Sequence, residues 1–320
     1  MAALPETRMP EVVDLHEIRA EDLEPVLAEE QLNWRAKLYW DFTPSADLVR
    51  RFVRMQALSG FALVSGGECI GYSYFVSEDR KALIGDLYVL NHCALPEYED
   101  ALLGAVLNAL AATQGLHRIE AQLMMMHGPF ERTLPYDRYV HIHPRNLMLV
   151  DGERATELCR GGAAGRYSFE PWQPEDQEEA ALLIAAAYRG HVDSTINDQY
   201  RTASGAKRFL NNIVQYPGCG AFHAPASITA RLRGRIIGLC LASLVADNVG
   251  HITQICVIPE AQGTGVGYEL LRISLLALRE AGCESVSLTV TAANQQAVSL
   301  YQNMGFRAVR HFAAYVWDGL

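Results

Sequence analysis

Apolar residues recur along the chain in two rhythms. Helical spacing predicts helices over residues 21–34, 98–114, 175–188 and 268–281, and alternation predicts strands over 117–123 and 284–290. Two further stretches, Phe61 to Tyr74 and Ile228 to Leu241, each read as strand, glycine-containing turn, strand. These pieces repeat. An offset of 167 residues lays Phe61 on Ile228, Gly67 on Gly234, Gly71 on Gly238 and Gly115 on Gly282. Gly115 and Gly282 stand just past helical stretches, where a left-handed residue stops a helix, and an alternating strand follows each. Each copy therefore reads strand, helical region, hairpin, strand, helix, strand, tail. Hairpins mixed with helical crossovers imply a mixed α/β (α+β) fold, with a mostly antiparallel central sheet flanked by helices. The glycines of 151–166 lack sustained periodicity and mark the seam. The expected ranges are an N-terminal extension 1–14, a first domain 15–150, a linker 151–166 and a second domain 167–320.

Composition narrows the class. The 320 residues are 50% hydrophobic and 20% charged, which suits two soluble globular domains rather than a disordered or fibrous chain. The apolar stretch Ala101 to Leu116 is interrupted by Asn108, Thr113 and Gln114 and falls short of the roughly 20 residues of a membrane span. The first residues lack a basic region followed by an apolar core, so a cytoplasmic protein without a membrane partner is expected. Seven cysteines, Cys219 among them, form no C-x-x-C pair. His141-x-His143 has no third ligand spaced nearby, so no metal is expected. A net charge of -10 and the lack of a basic stripe argue against nucleic acid.

The segment richest in chemistry is His251 to Leu271, a strand, a glycine loop and a helix in immediate succession. Gly263, Gly265 and Gly267 allow a tight turn that aims backbone N–H groups at one spot, and the helix start adds its positive end. A pyrophosphate fits such a place, although a plain strand-to-helix turn uses glycines too. The spacing is not G-x-G-x-x-G, the acid that would bind a ribose is missing, and no Gly-Lys-Ser/Thr follows, so neither a dinucleotide fingerprint nor a Walker loop is present.

Val257-x-Pro259-x-x-Gln262-Gly263-x-Gly265-x-Gly267, followed by Asn294-x-x-Ala297-x-x-Leu300-Tyr301-x-x-x-Gly305-Phe306, resembles the GNAT family of N-acetyltransferases. The resemblance covers residues 167–320, and the repeat extends the fold to 15–150, giving two tandem GNAT folds. It implies acetyl-CoA as co-substrate, with Gln262, Gly263, Thr264, Gly265, Val266 and Gly267 around its pyrophosphate. The backbone of Ile255, Cys256 and Val257 would hold the pantetheine arm with help from Asn294, which is also placed as an ordinary N-cap. Tyr301 is implied as the acid that protonates the departing thiolate, a role suited to a phenol of pKa about 10; a core tyrosine is the bland alternative. His251 lies six residues before Val257, hence on the same face of a regular strand, and is the candidate base or a structural histidine. The polar segment His191 to Tyr200 lies where such enzymes build the acceptor site. Asp193, Asn197 and Tyr200, with Thr253 and Gln254 as further polar candidates for substrate or water, are the candidate substrate contacts.

The same offset lays the loop on Leu95-Pro-Glu-Tyr-Glu-Asp100, Asn294 on His127 and Tyr301 on Leu134. Pro96 lacks an N–H, and Glu97, Glu99 and Asp100 would repel a diphosphate, so the first copy is expected to be degenerate and silent. The resulting expectation is acetyl transfer to a primary amine of a small molecule by direct attack in a ternary complex. Two alternatives stay open: a protein N-terminal or lysine acetyltransferase acting on a peptide amine, and a non-catalytic CoA-binding sensor or interaction protein.

Overall fold

The computed structural model describes residues 9–320 apart from Asp79, Pro129, Glu131, Pro217 and Cys219. Most of the expected N-terminal extension, residues 1–8, and Cys219 lie outside the described residues. The chain divides into two compact units: residues up to Arg35, Phe42–His143 and Phe312–Leu320 form the first, and Ala36–Asp41 with Pro144–His311 form the second.

In chain order the first unit holds β1 (Glu11–Asp14), most of α1 (Ala20–Leu38), α2 (Thr43–Arg54), β2 (Gly60–Ser65), β3 (Glu68–Glu78), β4 (Lys81–Val89), α3 (Pro96–Ala111) and β5 (Arg118–Gln122). Pro96 opens α3 at its first turn, where a missing N–H costs nothing. The helix stops at Ala111, three residues before the expected end, and Gly115 takes a φ of 83° in the turn beyond it. The strand order is β1-β2-β3-β4-β5, and every neighbouring pair is antiparallel except β4 with β5.

β6 (Val140–Asp151) leads into the second unit, followed by α4 (Arg154–Glu157), β7 (Ser168–Pro171), α5 (Gln177–Ala187), α6 (Asp193–Ile196), α7 (Ala203–Gln215), β8 (Ala221–Phe222), β9 (Ile228–Leu232), β10 (Arg235–Ala246) and β11 (Val249–Val257). Then come α8 (Val266–Glu280), β12 (Ser285–Thr291), α9 (Gln295–Asn303) and β13 (Arg307–Asp318). The order β6-β12-β11-β10-β9-β7 repeats the first plan, with β11 and β12 the parallel pair and β8 attached to β10. A mixed, mostly antiparallel sheet is thus built twice, as the repeat implied.

Two apolar layers sandwich the second sheet. On one face Leu270, Leu271, Leu275 and Leu278 of α8 pack with Val286, Leu288 and Val290 of β12 and with Tyr301 and Phe306. On the other, Leu183 and Ile184 of α5 and Leu210 and Ile213 of α7 cover Leu239, Leu241 and Cys256. The spacing of these leucines and isoleucines, three or four residues on helices and two on strands, is what makes one face of each element apolar.

The last strand of each sheet comes from the opposite half of the sequence. Residues 145–150 of β6, expected to close the first domain, and Asp151, expected in the linker, pair along β12 from Arg145 opposite Thr291 to Asp151 opposite Ser285. Residues 314–318 of β13, expected to close the second, pair with β5 in the first unit. Strand period and turn residues specify that these segments are strands; they carry no mark of which sheet edge each will meet.

Candidate active site

β11 supplies the axis of the site. Its parallel pairing to β12 runs from Val249 opposite Ser285 to Ile252 opposite Leu288 and ends there, while its pairing to β10 continues to Val257. Beyond Ile252 the two strands part, and the β12-side edge of residues 253–257 is left outside the ladder. Side chains reach into that edge: the Tyr188 hydroxyl donates to the Ile255 carbonyl at 3.4 Å, and Gln262 Nε2 donates to the Val257 carbonyl at 3.1 Å.

The parting coincides with a bulge. Gln254 opposes Leu241 and Ile252 opposes Ala242, so Thr253 is the extra residue. Its hydroxyl donates to the Leu241 carbonyl at 3.1 Å, a bond within the sheet. The bulge shifts the alternation: Ile252, Ile255 and Val257 pack against the α8 layer, whereas Cys256 belongs to the α5–α7 layer. Sequence counting from Val257 back to His251 assumed an unbroken strand, and that assumption fails. His251 neighbours Ile252 and faces the other way. It is 4% exposed, its Nδ1 lies 2.8 Å from the Ser287 hydroxyl, and the Trp40 ring meets it edge to face at 4.9 Å. Burial, with the Arg145 charge nearby, pushes its pKa down to about 3. An imidazole so buried is a poor match for accepting the proton of an ammonium at neutral pH.

After β11, a single turn at Pro259–Ala261 leads into the glycine loop. Gly263 and Gly265 have φ of 72° and 88°, and Gly265 is the N-cap of α8 with no side-chain cap bond. The first N–H groups of α8 are therefore presented without a competing side-chain acceptor. A Cβ at Gly263 would meet nothing within 4 Å, so that glycine serves the backbone turn and the space in front of it is open. Gly267 is ordinary helix, and a Cβ there would make only normal contacts at 3.8 Å. The Thr264 hydroxyl donates to the Ala261 carbonyl at 2.7 Å, and Val266 is buried. Glu269, in the first turn, is neutralised by Arg272 and accepts the Gly161 N–H at 2.9 Å. An open strand edge ending in a bare helix start suits an extended thioester arm that ends in a diphosphate.

Asn294 Oδ1 accepts the Ala297 N–H at 3.2 Å, so it does cap α9, and its Nδ2 lies 3.2 Å from His191 Nε2. Tyr301, 6% exposed, tilts against Phe306 at 5.9 Å. Burial, then Cys240, Asp193 and Cys256, pushes its phenol pKa far up, which keeps the proton on oxygen at physiological pH.

The acceptor side gathers residues from five segments. Tyr188 and Tyr200 stack at 4.4 Å; Gln254 Nε2 donates to the Tyr188 hydroxyl at 2.8 Å, and the Tyr200 hydroxyl donates to Gln254 Oε1 at 3.2 Å. The Thr291 hydroxyl donates to Asp193 Oδ1 at 2.5 Å. Of the candidate substrate contacts, Asp193, Tyr200 and Gln254 belong to this network. Asn197 instead caps the turn at 198–201 by accepting the Gln199 N–H, and Thr253 is tied to the sheet. Sequence reasoning missed Tyr188 and His191. The available signal was an aromatic residue at the end of α5, two positions before Gly190, opening the same polar run that held Asp193. Among the described residues, no helix is long and apolar enough to cross a membrane, and no group of three or more His, Cys, Asp or Glu could hold a metal ion.

A model of the acetyltransferase (GNAT) family matches residues 194–306. A mycothiol acetyltransferase from Pseudarthrobacter chlorophenolicus is 40% identical over 253 residues, which span 76% of this chain and 72% of that protein. Among solved structures, a GNAT-type N-acetyltransferase from Sphaerobacter thermophilus covers 99% of this chain and 97% of its own at a TM-score of 0.61 and 15% identity. A tandem GNAT protein from the clavulanic acid biosynthesis pathway covers 97% and 98% at a TM-score of 0.58 and 16% identity. At these identities the two structures speak for the tandem fold, while the 40% relative extends the match over most of both chains. Both glycine loop and Tyr301 fall inside the family match, and on that footing the chain belongs to the GNAT acetyltransferase family and is an N-acetyltransferase.

Proposed function

We propose that the second unit moves an acetyl group from acetyl-CoA to a primary amine of a small molecule, by direct attack with both substrates bound. The observation that carries this reading is the open edge of β11 running into the uncapped start of α8, with the Tyr188–Asp193–Tyr200–Gln254 network beside it. Acetyl-CoA supplies an acyl group activated on sulfur. The backbone of Ile255, Cys256 and Val257 would bind its arm, and Gln262 to Gly267 its diphosphate. Tyr301 holds a proton at its phenol oxygen for the leaving sulfur. Asp193 provides a carboxylate for a cationic amine, and the stacked Tyr188 and Tyr200 rings wall the place where it would sit. The name carried by the 40% relative supports a small-molecule acceptor over a polypeptide.

The first unit is proposed to be silent. At the start of its α3, buried Glu99 accepts the His127 N–H at 2.8 Å, contacts His127 Nδ1 at 2.8 Å and pairs with Arg132 at 2.9 Å. Pro96 removes one N–H from that helix start, Glu97 and Glu99 add negative charge to its first turn, and Leu134, which the repeat lays on Tyr301, offers no hydroxyl.

The test is isothermal titration of the full chain with acetyl-CoA, on wild type and on Gly265→Glu, which puts a charged side chain on a left-handed residue at the loop. One site per chain, lost in the variant, is expected. Absence of binding to wild type sinks the reading, and two sites per chain sink the silent first unit.

A further inference from the structure

We propose that His191 is the residue that takes the proton from the incoming amine. This rests on the reading of the second unit as an amine acetyltransferase and adds the residue that such a reaction requires. An amine of pKa about 10.4 is cationic at pH 7, and its nitrogen has no lone pair to attack with until a proton leaves.

The geometry around the imidazole points to that role. His191 follows Gly190, whose φ of 75° turns the chain out of α5, and its side chain is 31% exposed, so both solvent and substrate can reach it. The backbone N–H of Asp193 faces Nδ1 at 3.1 Å, and Asp193 Oδ2 lies 3.6 Å from the same nitrogen. That carboxylate is itself held by Thr291 through its other oxygen. On the far side of the ring, Asn294 Nδ2 faces Nε2 at 3.2 Å, and the bond from the Ala297 N–H to Asn294 Oδ1 fixes which end of the amide points to histidine. The Tyr188 ring closes one flank edge to face at 5.2 Å.

Two N–H donors thus converge on one imidazole. A neutral ring offers a single lone pair, and a protonated ring offers none. One of the two donors is therefore unmatched: a lone pair on Nδ1 meets the Asp193 N–H, whereas a lone pair on Nε2, with the ring proton on Nδ1, meets Asn294. Asn294 is the donor that can leave, because its amide is wanted by the arm of the co-substrate. Once it turns to that arm, the tautomer with its proton on Nδ1, beside Asp193 Oδ2, leaves the Nε2 lone pair uncovered for the proton of the amine.

The balance closes. The ammonium gives one proton to His191 Nε2, and the freed nitrogen lone pair forms the C–N bond to the acetyl carbon. The C–S bond breaks, and sulfur keeps its electron pair. Tyr301 protonates that sulfur, and the second proton lost from nitrogen restores the phenol. The imidazolium returns its proton to water, so the net yield is amide, thiol and one proton.

The test compares two probe amines with the full-length protein. Hydroxylamine is mostly neutral at pH 7, while ethanolamine is mostly cationic. For His191→Gln, acetyl transfer to ethanolamine is expected to fall about 100-fold and transfer to hydroxylamine far less. Asp193→Asn, which keeps the ring, is expected to show the same preference in weaker form. Equal losses on both amines, or none on either, overturn the proposal. In parallel, carbon-13 NMR of labelled histidine follows His191 as CoA is added, and its signal is expected to move as Asn294 withdraws. CoA that binds while the His191 signal stays fixed sinks this inference alone. CoA that fails to bind sinks the acetyltransferase reading of the site, and this inference with it. Should neither probe be acetylated by wild type, the NMR result decides by the same criteria.

Discussion

Tyr301 and His251 are both buried ring side chains, and burial acts on them in opposite directions. A phenol driven toward its neutral form keeps the proton an acid needs; an imidazole driven toward its neutral form keeps its lone pair but loses the affinity a base needs. Tyr301→Phe is expected to bind acetyl-CoA as wild type does and to lower kcat about 100-fold, measured by titration and steady-state rates on the same preparation. Unchanged turnover would remove the acid role and leave the fold untouched. His251 makes itself felt in stability. Its folded pKa of about 3 lies below the 6.5 of the unfolded chain, so between these values the unfolded state binds the extra proton. Stability that is present above pH 6.5 is therefore lost as pH falls toward 3, at up to about 1.4 kcal/mol per pH unit for one proton. His251→Gln, which can still meet Ser287, is expected to flatten that limb in urea unfolding measured across the acid range. A variant as steep as wild type would show that other groups govern it.

At the scale of elements, what a local motif encodes was legible and what a pairing register decides was not. The glycine loop, the cap at Asn294, Tyr301 on α9 and the stop at Gly282 depend on residues close in sequence, and each stands where its motif put it, whereas α3 ends three residues before Gly115's expected stop. The bulge at Thr253 depends on how β11 lies against β10, and one inserted residue was enough to turn His251 to the other face. The acceptor network was only half legible: Asp193, Tyr200 and Gln254 were candidates, but Tyr188, His191 and Thr291 sit on three different segments that meet them only when α5 packs on the sheet. Gly152 shows the same boundary. In the sequence it reads as one of several linker glycines, yet in the fold its N–H donates to the Glu284 carbonyl at 2.7 Å, and a Cβ there would lie 2.5 Å from the Cys283 carbonyl oxygen. Backbone atoms cannot swing aside as a side-chain tip can. Gly152→Ala is expected to cost about 1–3 kcal/mol by forcing the end of β6 away from the turn before β12, measured as a lower urea midpoint at unchanged slope. A midpoint equal to that of wild type would mean the turn yields freely.

At the scale of the molecule, the repeat suggested two domains that end where their sequences end, and the strands contradict so simple a division. Phe312, Ala313, Ala314, Tyr315, Val316 and Trp317 are all essentially inaccessible to solvent, and they belong to the first unit, although they follow the whole second copy in sequence. The Trp317 indole donates to the Pro135 carbonyl at 3.1 Å, and Arg118 pairs with Asp318 at 2.7 Å, so the strand is tied at side chains as well as through its ladder to β5. Burying a large apolar side chain contributes about 1.5–3 kcal/mol, and a domain holds only about 5–15 kcal/mol in reserve. Removing residues 312–320 is therefore expected to unfold the first unit and to expose the edge of β5 to aggregation. The same logic applies to a cut within 152–166. The N-terminal half would carry β6 without β12 and lack β13, and the C-terminal half would lack the strand that closes β12. Expressed alone, each half is expected to give collapsed amide dispersion in its NMR spectrum; co-expressed, the two should recover the dispersed spectrum by exchanging strands as the intact chain does. Two well-dispersed spectra from separate halves would show that each sheet stands without the borrowed strand, and that the exchange is a consequence of connectivity and not a source of stability.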